Sequence, residues 1–166
     1  MRMSIPVAVA AGLLFAAMMF AAGCSSNDSA GETPMPNGEQ ASDLRMEDYA
    51  WSHRPLVVFA SAGDTPELER QRDLLRAARA GLIERDMVVI EVIGRERGRV
   101  DGKALTDAAV ARLVERYDPP VDAFEVLLIG KDTGVKLRRD EPVTAETLFE
   151  LIDAMPMRQR EMRDNS

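Results

Sequence analysis

Apolar residues fall along this chain in two rhythms. Continuous runs at 56–60, 87–93 and 124–129 read as strands covered on both faces, and 135–138 as a fourth strand. Between the runs the spacing is helical. Thr65-Pro66-Glu67 opens one helix, because Thr65 can cap it, Pro66 suits its first turn, and Glu67 and Glu69 favour the positive end of its dipole. Leu68, Leu75, Ala78 and Leu82 share one face of that helix, and Gly81 weakens its last turn. A second helix is predicted over 107–117 with Ala108, Val110, Ala111 and Val114 as its apolar set, stopped by Asp118-Pro119-Pro120. A third follows Thr144, buries Leu148, Leu151, Ile152 and Met155, and ends or kinks at Pro156. Residues 94–102 read as a charged loop. Residues 130–134 read as a hairpin turn of the Asp-x-Gly kind that closes in a glycine bulge. The order β-α-β-α-β-β-α predicts an α/β domain with a central mixed sheet of about four strands flanked by helices. The first two strands are parallel and the last two antiparallel.

An earlier apolar run, residues 5–20, is of another kind. It is short, follows Arg2, and leads through Ala21-Ala22-Gly23 to Cys24, the only cysteine, and then to the polar Ser25-Ser26-Asn27-Asp28. That is the layout of a bacterial lipoprotein signal rather than a membrane span, with Ala21 standing where leucine is more usual. The reading divides the chain into a signal peptide (1–23), a flexible tether (24–43) rich in Ser, Asn, Gly, Pro and acids, and one domain (44–166). Lipidation, palmitate included, would fall on Cys24 and anchor the chain in the bilayer. Ser25 carries no inner-membrane retention signal of the aspartate kind, so an outer-membrane lipoprotein facing the periplasm is expected. The alternative is an ordinary signal peptide with an incidental cysteine.

Charge narrows the partners. The formal net charge is −7, and it becomes −8 once Arg2 leaves with the signal. An acidic chain of this kind does not suit nucleic acid.

Three stretches carry a family resemblance. They are Trp51-Ser52-His53-Arg54-Pro55-Leu56-Val57-Val58-Phe59-Ala60, Leu128-Ile129-Gly130-Lys131-Asp132-Thr133-Gly134-Val135-Lys136-Leu137-Arg138, and the run from Leu151 through Ile152-Asp153-Ala154-Met155-Pro156-Met157-Arg158 to Arg163. Over about residues 44–163 the chain resembles a bacterial group known as domain of unknown function, number 4174. The resemblance implies a thioredoxin-like fold and supports the element order; it implies no activity. In redox-active thioredoxin-like proteins the loop after the first strand carries Cys-x-x-Cys. Here it is Ser61-Ala62-Gly63-Asp64-Thr65-Pro66-Glu67. Asp122-Ala123-Phe124 stands where those proteins place a cis-proline. Thiol–disulfide exchange needs an attacking thiolate, so none is expected.

The remaining chemistry-bearing residues each have two readings. Ser61, Asp64 and Glu67 could hold a polar ligand at a helix N-terminus, or could simply cap and solvate the loop. His53, the only histidine, sits beside Arg54 with no nucleophile pattern, so it is either a general base or a surface residue. Met155, Met157 and Met162 could serve Cu(I), or could pack the core or face a partner. Arg158, Arg160 and Arg163 form either a docking tail or a solvated helix end. Trp51, near Tyr49, could anchor a partner or cover the sheet's end. Neither catalytic residues, nor a metal site of His and Cys, nor a cofactor can be assigned. The reading reached is a lipid-anchored, non-redox binding module. Its candidate surface for a ligand or an unknown protein partner is Trp51, His53, Arg54, Asp64, Met157, Arg158 and Met162. The alternatives are a cysteine-independent envelope enzyme, which would gather His53, Asp64 and an arginine in one pocket, and a methionine-based copper carrier.

Overall fold

The computed structural model describes residues 41–164. Cys24, the signal segment and the tether up to residue 40 lie outside them. Ser42 and Asp43 already engage the domain. Ser42 N–H donates to the Ala104 carbonyl at 2.8 Å, and Thr106 N–H donates to the Ser42 carbonyl at 3.0 Å.

The chain runs β1 (Arg54–Ala60), α1 (Pro66–Ala77), α2 (Arg79–Glu84), β2 (Met87–Ile93), β3 (Arg97–Val100), β4 (Lys103–Ala104), α3 (Asp107–Tyr117), β5 (Glu125–Ile129), β6 (Val135–Arg139), α4 (Ala145–Asp153) and α5 (Pro156–Asp164). One sheet holds all six strands in the order β4-β3-β2-β1-β5-β6. β1 is parallel to β2 and antiparallel to β5, with Leu56 opposite Leu128. Alternate residues of each strand serve opposite faces. Val57, Phe59, Ile90, Val92, Leu127 and Ile129 pack under α3 with Leu44 and Met46. Leu56, Val58, Ala60, Val126 and Leu128 pack under α1, α2 and α4. Every residue of β1 and β5 is buried, which is why both read as unbroken apolar runs. The central four strands, ordered β2-β1-β5-β6 with helices on both faces, make the core thioredoxin-like.

Threonine caps three helices: Thr65, Thr106 and Thr144 accept from the backbone N–H of Leu68, Ala109 and Thr147. The predicted first helix breaks at Ala78 into α1 and α2. Gly81 has a packing role rather than a weakening one, because a Cβ there would come within 2.5 Å of the Phe149 ring. The buried stripe of α3 is Ala109, Val110, Leu113 and Tyr117. Ala108 and Ala111 face solvent, contrary to the sequence expectation, because Val110 and Val114 fit either stripe.

Three further expectations are corrected. Residues 94–102 are not a loop but contain the β3 strand and the turn into β4. Its arginines project outward and hide the strand pattern, as is common at a sheet edge. In the β5–β6 turn the left-handed residue is Thr133, at φ 64°, and Gly134 instead donates to Asp132 Oδ1 at 3.2 Å. The break at Pro156 is as expected, but Pro156 also begins a helix that the element order left out. It opens α5, taking the first helical position where a missing N–H costs nothing.

Candidate functional site

β1 separates two candidate regions. His53 immediately precedes the strand and Asp64 follows it. Seven residues at about 3.3 Å each put them roughly 20 Å apart. The pocket of His53, Asp64 and an arginine that an enzyme reading required is therefore not formed.

At the carboxyl end of β1 the loop is occupied by its own backbone needs. Thr65 caps α1, and the Gly63 carbonyl accepts from Arg72 at 2.9 Å. Ser61, Asp64 and Glu67 are exposed. Beside them lies a hollow of about 170 Å³ lined by Phe59, Ala60, Ser61, Gly94, Arg95 and residues 119–123. Arg95 donates to the Pro119 carbonyl at 3.3 Å. No sulfur lines the hollow, and no described peptide bond is cis.

At the other end, charge is concentrated. Arg54, the first residue of β1, is only 1% exposed. Its guanidinium donates to the Arg85 carbonyl at 2.9 Å and to both carboxylate oxygens of Glu161 at 3.0 Å, with Asp86 at 3.8 Å. Lys131 binds Asp86 and Glu161, each at 2.8 Å. Arg158, 5% exposed, meets Glu84 at 2.7 Å, Asp153 at 3.3 Å and Glu161 at 3.7 Å. Arg85 closes the network on Asp153 at 2.6 Å while lying 4.2 Å from the centre of the Phe149 ring. Four cations thus face four carboxylates. Burial pushes the Glu161 carboxyl up, but hydrogen bonds from Lys131 and Arg54 outweigh it and hold the group below its ordinary value. The Arg85 hydrogen bond does the same for Asp153 against its burial.

Against this network lies a groove of about 310 Å³ between the β5–β6 turn and the junction of α4 with α5. Arg54, Lys131, Met155, Pro156, Met157 and Arg160 line it, together with Gly130, Asp132 and Lys136. Lys136 is paired with Asp132 at 2.6 Å. Trp51 is tied to the groove's turn: its backbone N–H donates to the Lys131 carbonyl at 2.7 Å. The backbone at Trp51 is left-handed, φ 63°, and its side chain is 71% exposed. A bulky residue held in that region costs about 1–3 kcal/mol. His53 stands next to it, hydrogen-bonded to Ser52 Oγ at 2.9 Å and set edge-on to Tyr49.

The structure therefore gathers Trp51, His53, Arg54 and Met157 at one end of the sheet and leaves Asp64 at the other. Met162, 36% exposed on α5, is not among the groove's lining. Arg158 is corrected from a docking residue to an interior one, since its partners lie on α2, α4 and α5. The sequence reading missed Lys131, Glu161 and Asp86. Their pairings span 30 to 107 residues, so no local pattern marks them. Among the described residues no group of three His, Cys, Asp or Glu side chains could hold a metal ion, and no helix is long and apolar enough to cross a membrane.

A family model described as Domain of unknown function (DUF4174) matches residues 45–161. Among curated proteins, the Sushi repeat-containing protein SRPX of Rattus norvegicus and that of Homo sapiens are each 27% identical over 128 residues, 75% of this chain. The match takes up 28% of each relative's length. Among solved structures, Prx1a of Plasmodium yoelii, modified at its N-terminus and forming an artifactual octamer, is similar at 13% identity and a TM-score of 0.49. The match covers 69% of this chain and 80% of that one.

Proposed function

The chain belongs to the Domain of unknown function (DUF4174) family, and from that premise we propose that it is a non-redox binding module, held at a membrane surface by lipid on Cys24. The observation that carries the binding reading is the division of labour between the two ends of β1. The end where thioredoxin-like enzymes keep their thiols has none, and there Thr65 is committed to capping α1. The opposite end presents a groove with buried cations, two thioethers and an exposed tryptophan. Recurrence of the domain within much longer relatives supports a module rather than a self-sufficient enzyme.

The copper alternative is disfavoured by charge. Met155 and Met157 share their groove with Arg54, Lys131 and Arg160, and with Lys136 paired to Asp132 the remaining lining charge is positive, so a cation such as Cu(I) meets repulsion there. The anchoring reading rests on the small-residue run into Cys24 and the polar stretch after it.

A photo-crosslinking residue at position 51 in the native envelope tests the binding face, with the same residue at position 64 as reference. Adducts specific to position 51 and lost with Met157→Glu are expected; adducts from position 64 alone would refute the assignment. Fatty-acid labelling tests the anchor, and equal labelling of Cys24→Ser would sink it.

A further inference from the structure

We propose that Arg54 and Lys131 form a carboxylate-binding site which the chain fills with its own Glu161, and which an acidic peptide side chain entering through the adjacent groove can take over. This rests on reading that end of the sheet as the binding face.

Arg54 is 1% exposed, and a guanidinium so buried is stable only beside a carboxylate partner. Glu161 supplies one with both oxygens at 3.0 Å and reaches Lys131 at 2.8 Å. The helix that carries Glu161 is attached mainly by charge. Arg158 is the one residue of α5 that is buried, and it too is held by ion pairs. No apolar side chain of α5 is buried to hold Glu161 in place against a competing carboxylate.

The groove gives such a competitor access. Arg54 and Lys131 are among its lining residues, whereas Glu161 is not. Met155, Pro156 and Met157 offer an apolar wall, and Arg160 adds an exposed cation. Charge fixes the ligand class. With Glu161 displaced, Arg54 and Lys131 face Asp86 alone, at 3.8 and 2.8 Å. Lys136 is already neutralised by Asp132. One carboxylate replaces the charge that Glu161 supplied, while Arg160 stands exposed at the groove's wall. The fitting ligand is a glutamate or aspartate side chain next to an apolar residue whose stem packs on the thioethers.

Trp51, the only tryptophan, reports on the site through its backbone bond to Lys131. The intact protein in detergent is titrated with a blocked Leu-Glu-Leu peptide and with its Leu-Gln-Leu counterpart, following tryptophan emission. The glutamate peptide is expected to saturate, with the glutamine peptide at least about tenfold weaker, a difference of about 1.4 kcal/mol. In Glu161→Ala, freed of the internal competitor, the glutamate peptide should bind about tenfold tighter than in the wild type. Acetate should raise that variant's melting temperature where equal chloride does not, and Lys131→Met should weaken the peptide in either background. Equal binding of the two peptides overturns the carboxylate site but leaves the binding face standing. Failure of the wild type to bind either peptide overturns the site outright, whether or not Glu161→Ala folds.

Discussion

Truncation within α5 tests how the final helix is held. Its sequence reads as a polar extension beyond a proline, whose loss should be thermally silent. The structure predicts otherwise. Ending the chain after Met157 removes Arg158 and Glu161 together. Glu84, 64% exposed, returns to water, so its lost pair with Arg158 counts for about 0–1 kcal/mol. Arg54 is the expensive loss. Its side chain is 1% exposed, and its remaining carboxylate, Asp86, is at 3.8 Å. Breaking a buried ion pair from one side costs about 3–5 kcal/mol. Water entering where α5 lay relieves part of that, so about 3 kcal/mol is expected. For a domain of this size that lowers the melting temperature by roughly 10 °C. Ending the chain after Met162 instead removes, among the described residues, only the exposed Arg163 and Asp164, and should cost within about 0.5 kcal/mol. Arg54→Met in the shorter truncation should recover much of the loss, since the methionine needs no counter-charge. Thermal unfolding of the intact-length and truncated proteins by circular dichroism decides it. If the two truncations melt within about 2 °C of each other, the ionic account of α5 is wrong.

Gln71, 1% exposed on α1, exchanges two hydrogen bonds with the Val143 backbone at 3.0 and 2.7 Å. Gln71→Ala strands a buried N–H and C=O and should cost about 2–4 kcal/mol in urea unfolding; a cost under about 1 kcal/mol would contradict this. Gly81→Ala, stabilising on helix propensity alone, should instead destabilise by about 1–3 kcal/mol because its methyl meets Phe149 at 2.5 Å. Glu161 and Asp153 have folded pKa values below their ordinary 4.5 and 3.8, so the stability they add is complete above those values and drains as pH falls through and below them. The melting temperature should fall between about pH 5 and pH 3, and Glu161→Gln, lower at neutral pH, should flatten that fall.

The sequence showed the core clearly because its elements are fully covered or amphipathic. β1 and β5 have no exposed position, and the three threonine caps precede regular apolar spacing. The β3–β4 edge escaped detection because Arg97 and Arg99 dominate its pattern. Gln71 escaped although it lies three residues after Leu68 and four before Leu75, on the buried stripe, because a polar side chain there reads as a breach rather than a staple. At the site, Trp51 and Met157 were visible as odd residues. Arg54 and Arg158 were visible only as charges. Their burial follows from acids up to 107 residues away, and pairing over that distance leaves no spacing to read.

That separation also bears on how the protein is made. β1 forms early in the chain, yet Arg54 at its head finds its bidentate carboxylate only 107 residues later, on α5. A nascent chain can pair β1 with β2, and later with β5, and still lack the bidentate partner of that buried guanidinium. α5 thus supplies a counter-ion that the strands of the sheet do not. A product that stops short of Glu161 keeps the whole sheet and leaves Arg54 with Asp86 alone at 3.8 Å, a molecule of correct topology, reduced lifetime and greater openness to proteolysis.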